Sequence, residues 1–449
     1  MNILIITTFF PPDSTIASVR PYLFAKHLSE AGEKVTVLRT GFFDMPPYDE
    51  YTDFSGFEVI SALGGSCDAE KFRRGEYEGF RAEPKRKLSS LPRRVRLPIK
   101  AVRDGMVILR GKPPRCIRMS GTMLKYQKRA IDRLYGSGRH YDVVFATCGD
   151  CENIYAGRYA AEKFGAKWIM DFRDPMIKLG GQYDDFWWNK FAKDATVLAL
   201  KRADAVTAVS EGLAEDLRRV CHTDKIEVLY NGFDDCSDMP SAVTESGVLS
   251  FCYTGRLYDD SIPVLKDFAS ALANLISKGA VDRDKVRYFY AGSSSDDAKK
   301  IFGKEGISDV LVDCGYLSKS ETLELQISTD VFTVISWNTP VIKGVLTGKF
   351  YEGIHVRKPI LSLVSGKEPK SELFELQKKY GYGFCYEQCS RKTSLKELEA
   401  FIERLYAEKI ANGEIAYRPS QELYNTFCYS ALSRKLSSIM TKLTTPFRI

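Results

Sequence analysis

Leu346-Thr-Gly-Lys-Phe-Tyr-Glu-Gly-Ile-His-Val-Arg-Lys-Pro-Ile-Leu361 reads as a short helix between two loops, followed by a buried strand. Gly348 loosens the approach, and Lys349 and Glu352 fall three residues apart on one helical face. Pro359 stops the helix before the apolar run Ile360-Leu-Ser-Leu-Val364. A cation in the first turn and a carboxylate one turn later suit a ligand with phosphate at one end and hydroxyls at the other. The free N–H groups and positive dipole end of the helix add to the field of Lys349 at a phosphate. A carboxylate such as Glu352 is the usual partner of a ribose diol. The same residues also suit an ordinary αβ unit with a surface i,i+3 ion pair. The stretch alone does not separate the two.

Outward from this stretch, apolar strands alternate with helical patterns along nearly the whole chain. Ile3–Thr8 and Lys34–Leu38 flank a helix with Tyr22, Leu23, Ala25 and Leu28 on its apolar side. The alternation returns at Tyr141–Ala146, Lys167–Asp171, Lys201–Val209 and Ile226–Tyr230, with helices over 154–164 and 211–219. Asp234–Val248, rich in Asp, Ser and Pro, reads as a linker. A second series follows at Leu249–Tyr253, Val286–Ala291, Val310–Cys314, Val331–Ile335 and Ile360–Val364. Strands separated by helices imply parallel sheets covered on both faces. The expected class is therefore α/β with two doubly wound Rossmann-like domains, 1–235 and 248–423. A C-terminal helix in 424–449 is expected to cross back to the first domain. Ligands are expected at the carboxyl ends of the strands, in the cleft between the halves.

A length of 449 residues agrees with two domains of roughly 200 residues each. The composition, 44% hydrophobic and 27% charged, describes a globular protein, and no apolar run approaches 18 residues. Met1–Phe10 lacks a basic n-region and a small-residue cleavage site, so it is read as a strand ending at Pro11-Pro12 rather than as a signal peptide. Eleven scattered cysteines point to reduced thiols and a cytoplasmic location. The pairs Cys148/Cys151 and Cys385/Cys389 lie far apart in sequence, and with only four histidines a zinc site is not expected.

Five short motifs, in order and at strand ends, resemble those of GT-B glycosyltransferases of the large retaining family 4. They are Asp171-Phe-Arg-Asp-Pro175, Ala203-Asp-Ala-Val-Thr-Ala-Val-Ser210, Tyr230-Asn-Gly-Phe-Asp234, Tyr253-Thr-Gly-Arg-Leu-Tyr258 and Gly348-Lys-Phe-Tyr-Glu352. The opening Phe9-Phe-Pro-Pro-Asp13 and Arg20 resemble that family too. The resemblance spans the chain except for roughly 67–134. It implies a GT-B fold with the nucleotide-sugar donor, by family habit a UDP-sugar, in the second domain and the acceptor in the first. Gly255, Arg256, Thr347, Gly348 and Lys349 are then expected to hold the diphosphate and Glu352 the ribose. Tyr316 and Leu317 are placed at the base, Trp337 and Asn338 at the donor sugar. Pro12, Asp13 and Arg20 are placed at the acceptor or first loop. Candidates for catalysis are Asp174, Asp171, Arg173 and Asp150, although Arg173 pairing with an acid to hold its loop is an equally simple reading.

The chain also departs from the family. Its paired glutamates, eight apart, would place an acid at 344, where this chain has Gly344. The first-loop glycines are replaced within Ser14-Thr-Ile-Ala17, and a basic residue six after Arg256 is replaced by Ile262. None of the histidines fits the position after the fourth strand. No Asp-x-Asp stands at a strand end, so the resemblance implies a metal-independent, retaining transfer without cofactor, in which protein cations neutralise the departing diphosphate.

Charge is segregated. From Lys71 to Arg133 about 20 Lys and Arg face about 5 Asp and Glu, roughly +15, while the whole chain carries +7. Leu91, Val95, Ile99, Val102, Met106 and Leu109 recur at helical spacing among arginines and lysines. Segment 85–118 thus suits an anionic membrane surface and a peripheral inner-face location, or else a core-facing helix with a solvated basic side. No aromatic–basic platform accompanies it, so nucleic acid is not expected. The leading expectation is a hexosyltransferase acting on a glycan or lipid-linked acceptor in cell-surface polysaccharide or glycolipid synthesis. The alternatives are a nucleotide-sugar 2-epimerase, disfavoured by the scarcity of histidine, and a non-catalytic sugar-nucleotide-binding protein.

Overall fold

The computed structural model describes residues 1–11, 16–40, 53–63, 115–148, 151–176, 186–234, 244–340 and 342–445. They form two contact-dense units, Met1–Tyr230 with Leu432–Ile449, and Asn231–Ala431.

The first unit is built on a seven-stranded sheet: β1 (Asn2–Thr7), β2 (Lys34–Arg39), β3 (Glu58–Ser61), β4 (Val143–Cys148), β5 (Lys167–Phe172), β6 (Ala205–Ala208) and β7 (Ile226–Val228). Its order is β3-β2-β1-β4-β5-β6-β7 and every pairing is parallel. Continuous apolar runs such as Ile3–Ile6, with no exposed surface, are what a strand covered on both faces requires. The covering helices are α1 (Ile16–Glu30), α2 (Arg115–Gly136), α3 (Glu152–Phe164), α4 (Phe186–Arg202) and α5 (Glu211–Val220). Local signals set their ends. Ser210 caps α5 by accepting the Leu213 amide at 3.1 Å, and α3 stops at left-handed Gly165.

The second unit carries β8 (Leu249–Thr254), β9 (Val286–Ala291), β10 (Leu311–Asp313), β11 (Val331–Trp337), β12 (Ile360–Ser365) and β13 (Gly383–Glu387), in the all-parallel order β10-β9-β8-β11-β12-β13. Its helices are α6 (Ile262–Ser277), α7 (Ser295–Lys304), α8 (Lys319–Ser328), α9 (Gly348–His355), α10 (Glu372–Tyr380), α11 (Arg391–Asn412) and α12 (Gln421–Phe427); α13 (Tyr429–Thr444) closes the chain. Phe251, Phe268, Tyr288 and Phe302 pack ring against ring in the core. At the amino end of the sheet Lys409, fully buried, donates to Asp330 Oδ1 and Thr244 Oγ1, both at 2.8 Å. Asp330 Oδ2 accepts the Ser250 amide and hydroxyl at 2.9 and 2.7 Å.

The two doubly wound sheets are those the alternation implies, with four local differences. The stretch Lys201–Val209 is a strand only from Ala205, because α4 runs through Lys201 and Arg202, whose charges complete its last turn in solvent. Edge strands β3 and β13 escape the sequence reading; β3 is four residues long and nowhere fully buried, so it carries no apolar run. The single helix expected over 424–440 is two, broken at Cys428, whose extended backbone bridges to Phe233. The return to the first unit falls at Leu432, inside α13, rather than at 424. Among the described residues no helix is long and apolar enough to cross a membrane.

Candidate functional site

Strand order reverses between β8 and β11, and ligands of open parallel sheets bind at the carboxyl ends of strands at such a point. The residues after β8 and the helix after β11 flank it. Gly255, with φ +144°, lies so close to α9 that a Cβ there would sit 3.4 Å from Cε of Lys349. Gly255 N–H donates to Ala291 O at 2.7 Å, and Gly292 N–H to Gly315 O at 2.8 Å. At Gly292 a Cβ would lie 2.1 Å from the Gly255 carbonyl oxygen, which no side chain tolerates. Tyr290 Oη ties the turn by donating to Gly255 O at 2.9 Å and accepting the Ser294 amide at 2.9 Å. Bare backbone therefore lines the ends of β8, β9 and β10, the surface a flat ligand needs for close approach.

Arg256 is exposed, its guanidinium 5.4 Å from the ring centre of Tyr258. Thr347 is the N-cap of α9, yet its side chain accepts no helix amide, and its hydroxyl is buried without a partner. Gly348 and Lys349 open the helix. Lys349 Nζ donates to Glu352 Oε2 at 2.7 Å, so the i,i+3 ion pair exists. It is partly exposed, and such pairs contribute only about 0–1 kcal/mol, so a diphosphate competes for the lysine with little opposition. Gln326 fixes Glu352 Oε2 at 3.0 Å while also donating to Thr254 Oγ1 at 2.8 Å. No motif in the sequence marked Gln326. At β10, Asp313 Oδ1 accepts the Gly315 amide at 3.0 Å and the Ser295 hydroxyl at 2.8 Å. With Lys299 beside it, these donors hold the Asp313 carboxyl down at about 2. That turn presents Tyr316, 88% exposed, ahead of half-buried Leu317.

The two residues assigned to a donor sugar separate. Trp337 lines a cavity of about 470 Å³ at the ends of β11 to β13. Asn338 is buried, and its amide donates to the Glu368 and Pro369 carbonyls at 3.1 and 3.3 Å. It ties this loop to the 368–369 segment. Gly344 has φ +64°, a left-handed conformation that favours glycine over the family's glutamate there.

In the first unit the sheet reverses between β1 and β4, and the carboxyl ends nearby hold a buried ion pair. Arg20 Nε and Nη2 donate to Asp171 Oδ2 and Oδ1 at 3.0 and 2.7 Å, at 2% and 0% exposure. Thr147 and Thr207 hydroxyls add donors at 2.8 and 2.7 Å. Four donors fill the acceptor capacity of the carboxylate. Burial alone raises its pKa, but Arg20 and the two hydroxyls outweigh burial and hold it below the ordinary 3.8. Arg20 also donates to Tyr230 O and Leu229 O at 2.6 and 2.8 Å. Asp171 and Arg20, expected at catalysis and at the acceptor, form a closed pair that ties together α1, β4, β5, β6 and the residues after β7. Thr147 and Thr207, one at each neighbouring strand end, were invisible as partners because nothing local in the sequence joins them. Arg173 donates to the Ala17 carbonyl at 2.5 Å, and Asp174 is exposed. Pro12, Asp13, Asp150 and residues 85–114 of the basic segment lie outside the described residues. Within α2, exposed Lys125, Arg129 and Arg133 follow one another at four-residue spacing, a basic stripe along one face.

Residues 17–235 match the family model described as Glycosyltransferase Family 4. A comparison with curated proteins finds no match. Among solved structures, the sucrose-phosphate synthase of Thermosynechococcus elongatus is similar over 99% of both chains, with a TM-score of 0.60 at 11% identity. The lipopolysaccharide outer core galactosyltransferase WaaB, in its apo form, is similar over 98% of this chain and 100% of its own, at 0.51 and 13%. A putative UDP-N-acetylglucosamine 2-epimerase from Listeria monocytogenes covers 100% of this chain and 98% of its own, at 0.50 and 9%. At these identities the likeness is one of fold. Residues 17–235, just under half of the chain, thus match Glycosyltransferase Family 4, and the chain shares the GT-B fold of these solved structures.

Proposed function

We propose that this chain transfers a hexosyl group from a nucleotide-sugar donor, a UDP-sugar, to a hydroxyl of a glycan or lipid-linked acceptor, with retention and without a metal, in the synthesis of surface polysaccharide or glycolipid. The observation that carries the reading is the approach of Lys349 to Gly255 across the β8/β11 switch point, with Glu352 one helical turn beyond. A diphosphate laid there meets Arg256, the Lys349 ammonium, the Thr347 hydroxyl and the opening amides of α9. Together these stabilise the charge that builds on the leaving phosphate as the glycosidic bond breaks. Glu352, steadied by Gln326, accepts from the ribose hydroxyls. The Gly315–Tyr316 turn receives the base. The acceptor binds the first unit, where Asp174 is the exposed carboxylate next to the Asp171 frame. Its hydroxyl attacks on the face the phosphate leaves, and the proton passes to a phosphate oxygen or to Asp174.

The basic stripe of α2 supports an anionic lipid surface as the place where the acceptor is met, each Lys or Arg contributing about 1 kcal/mol. The test is incubation of the full chain with UDP-, GDP- and dTDP-hexoses and membrane lipid extract, with release of nucleoside diphosphate measured with and without EDTA. Release that survives EDTA, with an anomeric NMR signal matching the donor's, is expected. Donors that return unchanged or epimerised would contradict the reading.

A further inference from the structure

The carboxyl ends of the first sheet carry a second polar cluster beside the Arg20–Asp171 pair. Asn153, in the first turn of α3, is fully buried, and its amide donates to Thr8 Oγ1 at 3.0 Å and to the Thr147 carbonyl at 2.9 Å. Thr8 follows β1 directly and Thr147 lies in β4, so this one side chain spans the point where strand order reverses. Gln127 of α2, also fully buried, donates to Asn153 Oδ1 at 2.6 Å and to Thr40 Oγ1, just past β2, at 2.9 Å. Thr147 extends the chain, its hydroxyl donating to Asp171 at 2.8 Å. Neutral hydrogen bonds thus run from β2 and α2 through α3 to β4 and β5.

Asn153 is itself closely held. α3 lies so near the sheet that a Cβ on Gly157, one turn beyond Asn153, would sit 2.6 Å from the Ala146 Cβ and 2.7 Å from Trp168 Nε1. Gln127 leaves its Oε1 buried without a partner among the described residues, a cost that its two N–H bonds offset. The backbone beyond Thr8 is pinned as well: Thr7 Oγ1 donates to Phe9 O at 2.9 Å, and Arg39 to Phe10 O and Pro11 O at 3.3 and 3.0 Å. We propose that Asn153 is a positioning residue for the acceptor. Buried beyond the reach of any ligand, it sets the spacing of the β1 and β4 ends at which the acceptor hydroxyl is held, and Gln127 orients its amide. The inference rests on the glycosyltransferase reading. It assigns the preference for acceptor over water to a side chain that touches neither.

The test incubates the full chain with labelled UDP-, GDP- and dTDP-hexoses and membrane lipid extract, and counts sugar passed to lipid and sugar released to water in the same vessel. Asn153→Ala, the milder Thr8→Val and the core control Ile131→Ala, on α2 one turn beyond Gln127, are compared with the wild type, with thermal melts and nucleoside diphosphate titrations on each. Because misplacing reacting groups by 1 Å can cost about a hundredfold, Asn153→Ala should lower the ratio of transfer to hydrolysis by roughly tenfold or more, and Thr8→Val by roughly threefold. Nucleotide affinity should stay within about twofold in both variants, and Ile131→Ala should melt lower yet keep the ratio. A folded Asn153→Ala that keeps the ratio, or an Ile131→Ala that loses as much of it, would overturn the assignment. Should Asn153→Ala not fold, Thr8→Val decides, and an unchanged ratio there overturns it equally. If nucleotides bind but no sugar passes to the extract, the acceptor reading and this assignment fail while the nucleotide site stands. If no nucleotide binds and no sugar is released, the wider reading fails.

Discussion

Asp171→Asn separates a framework role from a catalytic one. The change keeps the shape of the side chain but replaces a carboxylate oxygen, already facing Arg20 and a threonine hydroxyl, with an NH2 group. Donor then meets donor, and the Arg20 guanidinium, 2% exposed, is left without its counter-charge. Breaking a buried pair in this way costs about 3–5 kcal/mol. For a unit of this size each kcal/mol lowers the melting temperature by about 2–4 °C, so a drop of roughly 6–20 °C is expected in differential scanning calorimetry. The pH dependence follows from the same pair. The folded pKa of Asp171 lies below its unfolded value near 3.8, so the stabilisation is complete above that value and is lost as pH falls through the lower folded pKa. The variant should lack this acid-side loss. A variant that melts within 2 °C of the wild type yet is inactive would refute the framework assignment and return Asp171 to the catalytic residues.

Lys409→Met strands Asp330 beneath the second sheet, and a loss of about 3–5 kcal/mol in urea unfolding is expected; a change below 1 kcal/mol would mean the pair is not a determinant of stability. Gly292→Ala forces a methyl onto the Gly255 carbonyl, so nucleotide affinity measured by thermal shift should fall sharply while the circular dichroism spectrum is kept; unchanged affinity would show that the glycine surface is not the binding surface. Charge reversal at Lys125, Arg129 and Arg133 should weaken sedimentation with anionic vesicles by roughly a hundredfold at low salt; a wild-type chain that ignores such vesicles would end the membrane reading.

What the sequence made legible followed from local physics. Two-faced burial writes itself as runs such as Ile3–Ile6 and Ile360–Ser365, so both parallel sheets were readable in advance. The Lys349/Glu352 spacing was equally plain, since one helical turn fixes it. The rest depended on long-range placement. Whether Asp171 stands open or closed is decided by Arg20, 151 residues away, and by hydroxyls on two neighbouring strands. Asn338 looked like a loop residue free to touch a ligand, and only the return of Glu368 and Pro369 beside it uses up its amide. Gln326 and Asp313, which support Glu352 and the Gly315 turn, carry no motif because their work is done through space. The short edge strand β3 never shows two buried faces and so leaves no pattern to read.

The central claim is that the β8/β11 switch point binds a nucleoside diphosphate through Arg256 and Lys349. Equilibrium titration of UDP, GDP and dTDP into the wild-type chain, Arg256→Ala and Lys349→Ala tests it most directly. Loss of a charge-assisted phosphate contact should weaken the bound nucleotide by about 10- to 100-fold in each variant. Full affinity in both variants would contradict the account.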